Sequence, residues 1–203
     1  TDYSKDVVIK IIEGDKSKIK NIDFIGNKNI SKKTLLSNCE FLTENKWYKF
    51  WKGDFNRDNL DLDLINLETI YKNDGYRDVQ VSRPVIEFNN EGILIIIEID
   101  EGEINYYNNF SFDGNIKFTD SELLESLGLE TDQMYNENEF NLALYNLNSR
   151  YMDEGFYFIN ISNSVIPISS NKLNISFNIN ESEKTKIRKI IISGNDKTYD
   201  NVI

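Results

Sequence analysis

Apolar residues two apart recur in three short stretches, at Ile22 and Phe24, Phe110 and Phe112, and Ile190 and Ile192. This alternation predicts short strands with one buried face. Each stretch stops at a Gly-Asn pair, with the glycines at Gly26, Gly114 and Gly194. Glycine takes positive φ freely and asparagine tolerates it, so each pair predicts a turn. A helical spacing follows at Leu60, Leu64, Leu67 and Tyr71, and it returns with the same internal steps as Phe140, Leu144, Leu147 and Tyr151. Leu64 and Leu144 are expected as equivalent buried positions on these helices. Gly75 and Gly155 stop the two helices, in Asn73-Asp-Gly-Tyr76 and Asp153-Glu-Gly-Phe156. A nearly continuous apolar run comes next at Ile93–Ile99, with its counterpart strand at Lys172–Ile179.

These landmarks keep step, so the chain is a repeat protein. The stretches from Gly75 to Glu101 and from Gly155 to Glu181 are equal in length. Glu13-Gly14, Glu101-Gly102 and Glu181-Ser182 each precede the next Gly-Asn glycine by the same interval. The offset between copies is constant from Leu60 onward, but the first copy is longer between Gly26 and Gly75 than the second is between Gly114 and Gly155. That insertion holds the aromatic run Trp47, Tyr48, Phe50 and Trp51.

The expected unit is strand, helix, helix, strand, strand. The fold class is therefore α+β, with a three-stranded sheet in each repeat covered on one face by two helices. The expected divisions are 1–14, the last strand of a preceding repeat; 15–102 and 103–183, two complete repeats; and 184–203, the start of another. The chain thus reads as a piece of a longer protein. Short linkers, Asp15–Lys18 and Glu103–Tyr106, should restrict how the modules orient. Ser31 is a candidate N-cap for the first helix, and Thr119 with Glu122 forms a candidate capping box. The most apolar strand, the third, should lie centrally. The two prolines, Pro84 and Pro167, fall in the second strand of each module, expected over Asp78–Phe88 and Tyr157–Ile168. Proline cannot donate a ladder hydrogen bond, so this strand is expected at an edge.

Composition narrows the chemistry. The net charge of −11 argues against nucleic acid, which needs clustered Lys and Arg. There is no His, which removes imidazole metal sites and Ser-His or Cys-His nucleophiles. Cys39 is alone among apolar neighbours and reads as a buried structural thiol. Asp61 with Asp63, and Glu137 with Glu139, stand two apart on helices, do not face each other, and are expected on solvated faces. No cofactor, metal or catalytic residue is expected, and the protein reads as a non-enzyme.

Two surfaces remain as candidate binding sites. The second strand of module one, with Asp78, Val79, Val81, Val85 and Phe88, is either a template for an incoming strand or an edge blunted by proline. The insertion either offers Trp47, Tyr48, Phe50 and Trp51 to a partner, or folds back over its own helices or a neighbouring module.

The ordered set of strand, Gly-Asn turn, two helices ending in Tyr71-Lys-Asn-Asp-Gly-Tyr76, and a hairpin ending in Ile99-Asp-Glu-Gly102 resembles the POTRA (polypeptide-transport-associated) repeat. The resemblance covers essentially the whole chain. A tail before the first module and a head after the second imply at least four repeats, as in the outer-membrane β-barrel assembly proteins. The aromatic insertion is similar to one in their third repeat, which would make the complete modules repeats three and four. Glu181-Ser182 departs from the Glu-Gly pattern. The resemblance implies a periplasmic scaffold, facing the outer membrane, that binds accessory lipoproteins and unfolded outer-membrane clients. It also implies a C-terminal β-barrel outside this chain. A secretion or plastid-import transporter of the same superfamily is the alternative.

Overall fold

The computed structural model describes residues 18–44, 57–168 and 171–186, with Lys10, Arg188 and Lys189. The aromatic insertion, the terminal strands expected around residues 7–14 and 187–192, and Gly194 lie outside the described residues. The chain divides into two compact units, Thr1–Glu103 and Ile104–Ile203, here modules one and two.

Module one contains β1 (Ile19–Ile25), α1 (Lys32–Ser37), α2 (Arg57–Asn73), β2 (Gln80–Val81), β3 (Val85–Asn89) and β4 (Gly92–Asp100). Module two contains β5 (Tyr106–Asp113), α3 (Asp120–Leu127), α4 (Glu137–Asp153), β6 (Asn160–Ile168) and β7 (Lys172–Asn180). The apolar third strand is central in each sheet. β4 pairs parallel with β1 and antiparallel with β2 and β3. β7 lies likewise between β5 and β6. The first strand must run parallel to the third because the two-helix crossover returns the chain to the same end of the sheet.

Local chemistry sets the helix starts. Ser31 caps α1, its hydroxyl accepting from Thr34 N at 3.2 Å. Thr119 and Glu122 form a complete capping box at the start of α3. The two Thr119 donors outweigh other influences and hold the Glu122 carboxyl below its usual range. Asn136 caps α4 with its side chain alone, its Oδ1 accepting from Glu139 N at 3.0 Å.

The buried stripe on the second helix differs from the expected one. Leu64 and Leu144 are only half-buried. The buried positions are Leu60, Asp63, Leu67 and Tyr71 in α2, and Phe140, Ala143, Leu147 and Tyr151 in α4. These follow steps of three and four, so the core-facing line passes through residues 63 and 143. Leu144 sits at its flank, still touching the core. Asp63 is consequently no solvated residue: it is fully buried, whereas Asp61 is exposed.

One clamp recurs in both modules. The glycine after the first strand packs against the last residues of the third strand. A Cβ on Gly26 would lie 2.0 Å from Ile99 O, and one on Gly114 would lie 2.1 Å from Ile179 O. Both glycines also have positive φ, 93° and 82°. Just beyond, Glu101 accepts from Asn29 N at 2.9 Å and Asn29 Nδ2 at 2.7 Å. Glu181 accepts from Lys117 N at 2.8 Å and Tyr151 Oη at 3.0 Å. This Glu therefore ties the first turn to the end of the sheet in both modules, and in module two it ties in the second helix as well. The Tyr71 hydroxyl stands beside Glu101 but outside good hydrogen-bond geometry.

Candidate partner-binding edge

The second strand of module one is interrupted. Instead of one strand over residues 78–88, the register runs Val81 opposite Ile99, then Val85 opposite Ile96. Three residues, 82–84, face two, 97 and 98, so one residue is extra on the edge. This is a β-bulge at Arg83 and Pro84, where a residue without an N–H does least harm. Ser82 anchors its start, donating its N–H to Glu98 O at 2.9 Å and accepting Glu98 N at 3.1 Å through its hydroxyl. Module two has no such bulge. β6 pairs with β7 without a break from Asn160 opposite Asn180 to Ile168 opposite Lys172, and Pro167 is opposite Leu173. Pro84 and Pro167 thus occupy different positions in their modules.

The bulge reverses which face each residue takes. Val81 pairs with buried Ile99 and is itself half-buried, whereas Val85 is 54% exposed on the face away from the helices. Phe88, opposite buried Ile93, returns to the helix side near the hairpin end and is 64% exposed. Asp78 and Val79 precede β2. Val79 is a buried turn residue whose N–H goes to Tyr76 O at 3.2 Å, and Asp78 is exposed and ion-paired with Arg77 at 2.5 Å. The five expected edge residues therefore do not form one stripe, and two lie outside the strand.

The free side of this edge can be read from the bonds of its neighbours. Ser82 bonds inward to β4, so Val81 turns its N–H and C=O outward. Ile93 gives its N–H to Lys18 O at 2.9 Å, on the β1 side, so Phe88 opposite it also turns outward. Alternation adds Ile86. No described residue pairs with that side of β2 or β3.

Among the described residues, the free side of the first strand is met differently in the two modules. In module two, main chain meets it: Tyr107 N donates to Gln133 O at 2.9 Å, and Asp132 N donates to Tyr107 O at 2.8 Å. In module one, among the described residues, a side chain meets one N–H of β1. Glu44 accepts from Ile22 N at 3.4 Å and pairs with Lys32 at 3.0 Å. Lys32 also reaches Asn21 and Asp23 on β1. The loop that brings Glu44 there is held by Asp63, which accepts from Glu40 N, Phe41 N and Leu42 N at 2.8, 2.9 and 2.5 Å. In this loop Cys39 is buried with its Sγ on Leu35 O, and burial, reinforced by Asp63, pushes its thiol up to about 12. The Asp63 nest has no spacing signature in the sequence. Its one signal is an acidic residue in the apolar line where module two has alanine.

No group of His, Cys, Asp and Glu suited to a metal is present among the described residues. No described helix is long and apolar enough to cross a membrane.

Two modules of this topology define a tandem α+β repeat of strand, helix, helix, strand and strand. The chain belongs to the POTRA family, whose model, described as surface antigen variable number repeat, matches residues 17–102 and 105–182. It is similar to the outer membrane protein assembly factor BamA of Nitratidesulfovibrio vulgaris, at 26% identity over 98% of this chain, and to BamA of Neisseria meningitidis serogroup B, at 25% over 98%. In both comparisons the chain spans 26% of the relative's length. Among solved structures it resembles POTRA3-5 of Haemophilus influenzae BamA with a TM-score of 0.69, at 20% identity, covering 92% of this chain and 74% of that one. BamA of Haemophilus ducreyi lacking POTRA domains 1-3 gives 0.60, at 20% identity, over 81% of this chain and 29% of that one.

Proposed function

We propose that these modules are repeats three and four of a BamA-like outer-membrane β-barrel assembly protein, acting as a non-catalytic scaffold on the periplasmic side of the outer membrane. The relatives named as assembly factors, which align with nearly all of the chain, support this reading over a secretion or plastid-import transporter. In this reading a C-terminal barrel follows, and the modules bind accessory lipoproteins and unfolded outer-membrane clients by strand addition. The observation that carries the binding mode is the outward main chain of Val81, Ile86 and Phe88. Main-chain hydrogen bonds give affinity with little demand on sequence, which suits many different unfolded clients.

The test replaces outward donors alone. Val81→Pro and Phe88→Pro each remove an N–H that β4 does not use, so the fold should survive. Binding of an accessory lipoprotein or an unfolded barrel-strand peptide should fall in both variants, with helix content unchanged by circular dichroism. Unchanged binding by folded variants rules the edge out and moves attention to the segment with Trp47 and Trp51.

A further inference from the structure

We infer that Asp63 is a positioning residue that leaves module one receptive on one sheet edge only. A carboxylate buried in the apolar line of a helix costs stability unless its oxygens are satisfied. Here three successive main-chain N–H groups satisfy it. Those bonds fix the chain at residues 40–42, seat Leu42 in the core and deliver Glu44 to the Ile22 N–H on the free side of β1. Lys32 completes the cover by joining Glu44 to Asn21 and Asp23.

Module two closes the same edge without a buried charge, because its crossover pairs directly with β5 and Ala143 occupies the equivalent position. Among the described residues of module one, the loop held by the Asp63 carboxylate supplies the cover. An uncovered first strand beside an uncovered second strand would give each molecule two complementary edges. Such a molecule can add strands from both sides and pair edge to edge with copies of itself. Asp63 and Glu44 therefore set the side from which a strand can enter.

Two variants separate the latch from its structural setting. Asp63→Ala frees the loop, while Glu44→Ala leaves Asp63 bound and uncovers β1 alone. Amide hydrogen exchange should accelerate roughly tenfold or more at residues 19–25 in both, and at 40–42 only in Asp63→Ala. Exchange in β4 should stay slow. The strand probe is a short synthetic peptide of alternating threonine and valine with a photo-crosslinker. In the parent chain it should label residues 85–89 and spare 19–25; in either variant it should label both. Unchanged exchange at 19–25 in a folded Glu44→Ala variant overturns the inference, as does labelling of 19–25 in the parent. The peptide arm rests on the strand-addition reading. Its failure everywhere would count against that reading, while the exchange arm would still decide the latch.

Discussion

Truncating Leu147 tests whether each module carries its own core. Leu147 is fully buried in α4 and belongs to a cluster made only of module-two residues, including Tyr107, Leu173 and Phe177. Leu→Ala at such a site costs about 3–5 kcal/mol, the lost transfer energy plus the cavity. A module of this size has a total stability on the order of 4–12 kcal/mol. The substitution should therefore remove a large share of it. A loss of about 3 kcal/mol lowers the melting temperature of a domain this small by about 12–24 °C. Leu144→Ala, at the flank of the stripe, should cost clearly less, because Leu144 is only half-buried. Calorimetry on the intact chain, with hydrogen exchange assigned by segment, would follow both modules at once. Leu147→Ala should move the module-two transition and leave exchange across β1 and β4 unchanged. Equal shifts in both modules would refute separate cores, and a Leu144→Ala effect as large as that of Leu147→Ala would refute the stripe through residues 63 and 143.

Other substitutions probe the clamp and the loop. Gly26→Ala should destabilise module one by about 1–3 kcal/mol or more, since it combines positive φ with a Cβ 2.0 Å from Ile99 O; chemical denaturation measures it. Burial pushes the Glu101 carboxyl up, but the Asn29 donors outweigh it and hold it below its ordinary 4.5. A group depressed in the folded state contributes stability that is present above its unfolded value and lost as pH falls through the folded value. Glu101→Gln should therefore weaken module one at neutral pH, by about 1.5–3 kcal/mol, and flatten its loss of stability below about pH 4.5. Cys39, with a thiol near 12, should resist iodoacetamide at pH 8 in the folded chain and react after denaturation, as read by mass spectrometry.

Much of the fold was legible because the repeat supplied each signal twice. Apolar alternation before Gly26 and Gly114, the capping box at Thr119, the apolar run of β4 and the apolar positions of β7 are local features, and local features survive into structure. The helix stripe that apolar spacing predicts lies one residue from the buried one, for a physical reason. A buried aspartate looks polar to any pattern of apolar positions, and its counterpart Ala143 is small, so the larger but half-buried Leu64 and Leu144 dominate the apolar spacing. The bulge was hidden for another reason. Pro84 marked an edge, but a one-residue register shift depends on which residues lie opposite, and that is a tertiary fact. The closures of β1 and β5 depend on contacts across the crossover and have no local signature.

The bulge also bears on how such repeats can diverge. In module one the edge gains a residue at Arg83 and Pro84, and the hairpin connection between Asn89 and Gly92 is one residue shorter than its counterpart between Ile168 and Lys172. In module two the edge is regular and the connection is the longer one. The two changes cancel, so Gly75 to Glu101 and Gly155 to Glu181 have the same length. Glu101 and Glu181 then reach their clamps at the same point in each unit. The outer strand can thus be re-registered, and its exposed side chains exchanged between faces, while the ends that join one repeat to the next stay in place. A chain built this way can alter the outer strand of one repeat without re-engineering its neighbours.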